Sequence, residues 1–148
     1  MELQKIKKSI EINADKPKVW NVLTNDDLTR IWYAEFSEGT YAITDWQVGH
    51  KAKFMDGSQM GIVGTITANT YGELLELEYD GIIANGVEDY DSEGAKNVKG
   101  CIEKYQLTEK DGQVILSIEC DMADEYFEMM STAWDKALEV IKSLSEAA

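Results

Sequence analysis

Glu103 is the residue of this chain best placed to do chemistry. It lies in the run Cys101-Ile102-Glu103-Lys104-Tyr105-Gln106-Leu107. Strand alternation puts Cys101, Glu103, Tyr105 and Leu107 on one face, the apolar one. A carboxyl on an apolar face needs a partner or a raised pKa. There it can anchor a polar group of a ligand, or move a proton as general acid or base. Two plainer arrangements fit the same pattern: a bulge that turns Glu103 outward, and a structural ion pair. Lys8, on the inward phase of the first strand, and Tyr105, two residues away, are its candidate partners.

The other reactive residue types are scattered. His50 is the only histidine and follows Gly49 in a turn. A metal site would need further ligands converging on it. No Ser-His-Asp set stands out either, so neither metal nor cofactor is expected. Asp89-x-Asp91-x-Glu93-Gly94 matches the opening of an EF-hand loop, glycine included. The twelfth position is Gly100, where a bidentate glutamate is required. The stretch reads instead as a solvated acidic flap, placed to cover a cavity mouth.

The two cysteines, Cys101 and Cys120, read as free thiols. Asp111-Gly112 is a two-residue hairpin signal that sets Lys110 opposite Gln113. Counting outward, Tyr105 faces Ile118, Glu103 faces Cys120 and Cys101 faces Met122. The cysteines are then diagonal neighbours about 7–8 Å apart, beyond the usual disulfide reach.

Composition narrows the partners. The chain has 148 residues, which suits a single domain over 1–148, and 44% are hydrophobic. Asp and Glu number 28 against 14 Lys and Arg, a net charge of −14. Such a surface repels phosphate backbones and anionic headgroups, so neither nucleic acid nor membrane is an expected partner. The N-terminal residues hold no apolar run of signal-peptide length. Nothing approaches the roughly 18 apolar residues of a membrane helix. A cytoplasmic protein is expected.

The elements that must position Glu103 follow from periodicity. Ile6, Ile10 and Ile12 share one face of a first strand over 3–12, with Lys8 anomalously in phase. Asp15 and Pro17 open a short helix over 17–23, and Thr24-Asn25-Asp26 caps a second through Trp32. Strand-like runs follow at 38–46, 50–56, 60–68 and 73–83. Pairing Ile66 with Leu75 and Gly64 with Leu77 puts both apolar sets on one side. Residues 84–99 are polar, acidic and without period, and read as one long loop. Strands at 101–109 and 113–122 close the sheet. A final helix from about Asp124 to Ser145 carries one apolar stripe: Tyr126, Phe127, Met130, Ala133, Trp134, Ala137, Leu138, Ile141 and Leu144. The order predicts an α+β helix-grip fold. A curved antiparallel sheet of about six to seven strands wraps the long C-terminal helix, and two short helices follow the first strand.

Several short motifs recur in order along nearly the whole chain. They are Ile10-Glu11-Ile12 with Pro17 and Val19-Trp20, then Arg30-Ile31-Trp32-Tyr33, and Thr44-Asp45-Trp46 with Gly49. Gly61 with Val63, Glu103-Lys104-Tyr105, and Thr132-Ala133-Trp134 before Ala137-Leu138 complete the set. In these the chain resembles the START-like, Bet-v-like helix-grip superfamily called SRPBCC. Within it, the chain is similar to the branch named for the activator of the ninety-kilodalton heat-shock chaperone's ATPase.

The resemblance implies a deep cavity between sheet and long helix, suited to an apolar small molecule. Members bind lipids or hormones, carry aromatic intermediates, cyclise polyketides or act as co-chaperones. The first expectation is therefore a binder of a small apolar ligand rather than an enzyme. Its site would be Trp32, Trp46, Phe54, Tyr79, Tyr105, Met122, Met130 and Trp134, with Glu103 as polar anchor. Met60 and Met129 are further adaptable wall candidates, and Trp20 is core. One alternative is a co-chaperone-like interaction module that meets a chaperone partner through the acidic outer surface. Another is a cyclase- or hydratase-type enzyme, which requires at least two convergent polar groups in the cavity. A monomer or a homodimer fits either.

Overall fold

The computed structural model describes residues 2–147. β1 (Leu3–Ile12) alternates as its sequence demands, with Ile6 and Ile12 buried. Lys8 shares their face but does not stay there. The side chain is part-buried and its ammonium reaches Asp135 at 2.6 Å. It is therefore not a partner of Glu103.

α1 (Lys16–Thr24) starts where the Asp15 carboxyl accepts the Lys18 N–H at 3.1 Å. Asn25 serves two helices. Its N–H closes the last turn of α1 on Asn21 O, and its side chain accepts the Asp27 N–H at 3.0 Å to open α2 (Asp26–Tyr33). Asp26 and Asp27 favour the dipole of that first turn.

Eight strands make one antiparallel sheet. β2 (Tyr41–Ile43), β3 (Lys51–Met55), β4 (Gly61–Thr70) and β5 (Leu74–Ala84) form a meander. β6 (Val87–Asp89), β7 (Ile102–Lys110) and β8 (Gln113–Ala123) follow. The spatial order is β1-β8-β7-β5-β4-β3-β2, and β6 pairs the far end of β5 beside that path. The seven-stranded path meets the expectation, and β6 is the addition. A 3-10 turn (Asp124–Tyr126) leads into α4 (Phe127–Glu146).

The β7–β8 register is the expected one, with Lys110 opposite Gln113 and Glu103 opposite Cys120. Asp111 and Gly112 both take positive φ, as a type I′ turn requires. The ladder ends at Glu103, so Cys101 does not pair with Met122, and both cysteines are free.

Three expectations give way. Ile66 faces Leu77 and Gly64 faces Tyr79, a register two residues from the expected one. Irregularities at Val63/Gly64 and Ile66/Ala68 interrupt the ladder on either side of these pairs. A shift of two keeps every side chain on its face, so alternation could not distinguish the registers. Residues 84–99 are not one loop. Asn85-Gly86, both at positive φ, turn the chain into β6, and α3 (Glu93–Val98) follows. Ser92 caps α3 by accepting the Ala95 N–H at 3.2 Å. The expected strand 38–46 shrinks to β2, because Thr44 to His50 forms a knot of turns. There Thr44 Oγ1 accepts the Trp46 N–H and Asp45 Oδ1 accepts the Gln47 N–H, each at 3.0 Å.

The core divides the molecule unequally. α4 packs on β1, β8, α1 and α2. Trp134, Ala137, Leu138 and Ile141 of its stripe are buried. At its N-terminal end Met130 is only half-buried and Tyr126 is 49% exposed. α4 makes no comparable contact with β3, β5 or β7, and the helix over Glu93–Val98 packs against β5 instead.

Candidate functional site

The space left there is a cavity of about 510 Å³. Trp32, Tyr33, Tyr79, Tyr105, Cys120 and Trp134 are buried residues that form its floor. Exposed residues, Ser37, Met60, Asn97, Glu125 and Tyr126, form its rim. The aromatic floor is continuous. Trp32 meets Tyr33 at 4.5 Å between ring centroids, Tyr105 at 6.3 Å and Trp134 at 6.2 Å. Phe54 bridges Tyr33 at 6.0 Å to Tyr79 at 6.2 Å. Most of these are edge-to-face contacts, the favoured arrangement for aromatic quadrupoles.

Glu103 sits among them because three strands agree in phase. β7 sets it between Leu77 of β5 and Cys120 of β8, all pointing inward. No bulge turns it outward and no ion pair holds it among the described residues. Its carboxyl accepts the Tyr79 hydroxyl at 3.0 Å on one oxygen and the Tyr105 hydroxyl at 2.5 Å on the other. The Cys120 thiol lies 3.8 Å from the first oxygen. Burial pushes the Glu103 carboxyl above the ordinary glutamate range, and the Tyr105, Tyr79 and Cys120 donors pull it part of the way back. Burial first, then the Glu103 charge, pushes both tyrosines and Cys120 well above theirs. The result is a part-buried carboxyl facing the cavity and held by two hydroxyls, which can accept or deliver a proton.

Of the residues expected at the site, Trp32, Phe54, Tyr79, Glu103, Tyr105, Met122, Met130 and Trp134 do line this cavity. Trp46 does not. It takes a positive φ of 62° in the Thr44–His50 turns, and its indole N–H donates to Thr24 O at 3.1 Å. Its ring stands behind Phe54, 6.4 Å between centroids, and buttresses that wall from outside. Met60 reaches only the rim, and Met129 is 63% exposed and does not line the cavity. His50 is occupied by Asp45, 2.7 Å from its Nδ1. No group of three or more potential metal ligands occurs among the described residues.

Sequence reasoning missed Tyr33, Phe36 and α3 as wall. Tyr33 ends α2, and Phe36 sits in the turn just after it, its N–H bonded to Tyr33 O at 2.9 Å. Gly94, Asn97 and Val98 of α3 edge the mouth. The Asn85-Gly86 hairpin signal was the available clue that 84–99 folds back on β5.

No family model and no curated protein matches the chain. Solved structures do match it. The Aha1 dimer from Colwellia psychrerythraea superposes with a TM-score of 0.73 at 16% identity, over 97% of this chain and 96% of that one. CalU16 from Micromonospora echinospora gives 0.67 at 14%, over 98% and 78%. ChR145 from Cytophaga hutchinsonii gives 0.70 at 20%, over 99% and 97%. At these identities the likeness is one of fold. Element order, sheet path and long C-terminal helix together give this chain a helix-grip fold like that of the Colwellia Aha1 dimer.

Proposed function

We propose that this protein binds a small, largely apolar molecule in the cavity between sheet and α4, with Glu103 as the polar anchor. The observation that carries this reading is a space of about 510 Å³ walled by aromatic rings with one carboxyl at its floor. Small-molecule sites are typically ~300–1,000 Å³, apolar, with a few placed polar groups. The acidic exterior suits a cytoplasmic carrier better than a membrane or nucleic-acid binder. Among the described residues no helix is long and apolar enough to cross a membrane. By analogy with the Colwellia dimer, a homodimer is the assembly to test, and light scattering reads it.

Native mass spectrometry of the purified protein, with titration of an apolar-ligand library, tests the reading. Trp32 and Trp134 lie in the wall, so a bound ligand should change intrinsic fluorescence. A reproducible co-purified small molecule, or a library member that binds one to one, is the expected result. An empty protein that takes no library member would sink it.

One observation favours a second reading. Glu103, Tyr79 and Tyr105 converge in the cavity, and an enzyme of the cyclase or hydratase kind needs such convergent polar groups. Glu103 would exchange the proton and the tyrosines would hold it in place. Turnover of a bound ligand that Glu103→Gln abolishes without loss of binding would decide for it.

A further inference from the structure

We infer that the cavity selects a cation: an apolar amine whose ammonium pairs with Glu103 against the aromatic floor. This rests on the cavity being a ligand site and adds the charge of the ligand. Among the described residues four acidic ones line the cavity, Asp56, Glu103, Asp121 and Glu125, and no Lys, Arg or His does. Two of the four are already engaged. Asp121 pairs with Lys5 at 3.0 Å and accepts the Ile102 N–H at 3.0 Å. Asp56 accepts the Ser58 hydroxyl and the Ser58 and Met60 N–H groups. Glu125 is exposed at the rim. Glu103 alone lies at the floor, and Lys8, the lysine on the inward phase of β1, is committed to Asp135.

The groups that face Glu103 are all neutral. They are Tyr79 from β5, Tyr105 from β7, Cys120 from β8 and Tyr33 from α2. Two hydroxyls stabilise a carboxylate but do not cancel its charge, and even partial burial without a counter-charge is costly. An ammonium brought by the ligand supplies that charge and gains a charge-assisted hydrogen bond. The surrounding rings add to the same preference. Ammonium groups are drawn to the faces of Trp, Tyr and Phe, most strongly where water is excluded. An anionic ligand, such as a fatty acid, would meet Glu103 with like charge and approach through a surface of net charge −14.

The test compares three probes with one naphthalene ring: naphthylmethylamine, naphthylmethanol and naphthoate. Each is titrated calorimetrically against the native protein, Glu103→Gln and Glu125→Gln. The amine should bind about tenfold or more tighter than the alcohol, as one charge-assisted bond implies. Naphthoate should be the weakest. Glu103→Gln should erase the amine's advantage over the alcohol, while Glu125→Gln keeps most of it. The native protein alone decides the central point if Glu103→Gln fails to fold. Binding of the alcohol as tight as the amine, or of naphthoate tighter than both, overturns the charge assignment and leaves the cavity reading standing. An amine preference lost equally in Glu125→Gln overturns it too, because the rim and not the floor would then select. Binding of none of the three overturns both readings.

Discussion

At the scale of single residues, Glu103 and Glu88 show opposite uses of a carboxyl. Glu103 is desolvated, and its pKa lies above the ordinary value of 4.5. Folding shifts this group toward its protonated form relative to the unfolded chain. The stability it contributes is therefore complete below the unfolded value and is lost as pH rises through the folded one. Glu103→Gln mimics the protonated state. Its melting temperature should gain on the native protein's as pH climbs from about 4 to about 8. Differential scanning fluorimetry reads the difference, and a flat profile would mean that Glu103 is better solvated than its surroundings imply. Glu88 sits between Lys51 at 2.5 Å and Lys53 at 3.2 Å. The Lys51 ammonium first, then the Tyr90 hydroxyl, bring its pKa down to about 2. Its contribution is complete above 4.5 and is lost as pH falls from there through about 2. Glu88→Gln should lower the urea midpoint at neutral pH, and the gap should close on acidification.

At the scale of elements, close strand packing sets the site. Gly64 of β4 faces Tyr79 of β5, the residue that donates to Glu103. A Cβ at Gly64 would lie 2.5 Å from Glu78 O and 3.1 Å from Tyr79 Cα. Both are backbone atoms, so β5 must move. Gly64→Ala should cost about 1–3 kcal/mol in urea unfolding, the usual range for overpacking. It should also loosen the Tyr79–Glu103 bond and shift the tryptophan emission of the cavity wall. An alanine variant as stable as the native protein would show that the two strands separate freely there. Phe54 depends on its neighbours in another way. Trp46 backs it, and the positive φ at Trp46 is held by Thr44 and by Asn69, whose amide donates to Trp46 O at 2.8 Å. The Thr44-Asp45-Trp46 motif thus acts on the cavity from outside its wall.

At the scale of the molecule, charge dominates. A net charge of −14 spread over 148 residues repels itself. The ion pairs that offset it are mostly exposed and individually weak. Sodium chloride raised from about 0.05 to about 0.5 M should therefore increase the melting temperature, because the Debye length falls below the spacing of most surface charges. A decrease would mean that the attractive pairs outweigh the repulsion. Packing is the other global fact. α4 seals one half of the inner face and stands off the other, so one stripe of side chains builds core at its C-terminal end and cavity roof at its N-terminal end.

What the sequence determined by itself was whatever a local rule could decide. Alternation set Glu103 and Tyr105 inward, Asp111-Gly112 fixed the β7–β8 register, and Asp15 and Asn25 opened their helices. Each depends on residues near in sequence and on a period that only one element satisfies. The tertiary structure decided what depends on distance between elements. The apolar stripe of α4 reads the same over packed core as over empty space, so only the fold shows where the cavity begins. Periodicity could not choose between two β4–β5 registers that leave every side chain on its face. It also could not show that Trp46 turns behind Phe54, or that the lysine in phase with Glu103 leaves for Asp135. The chain alone placed a carboxyl on an apolar face; the packing of three strands and two helices left it without a counter-charge.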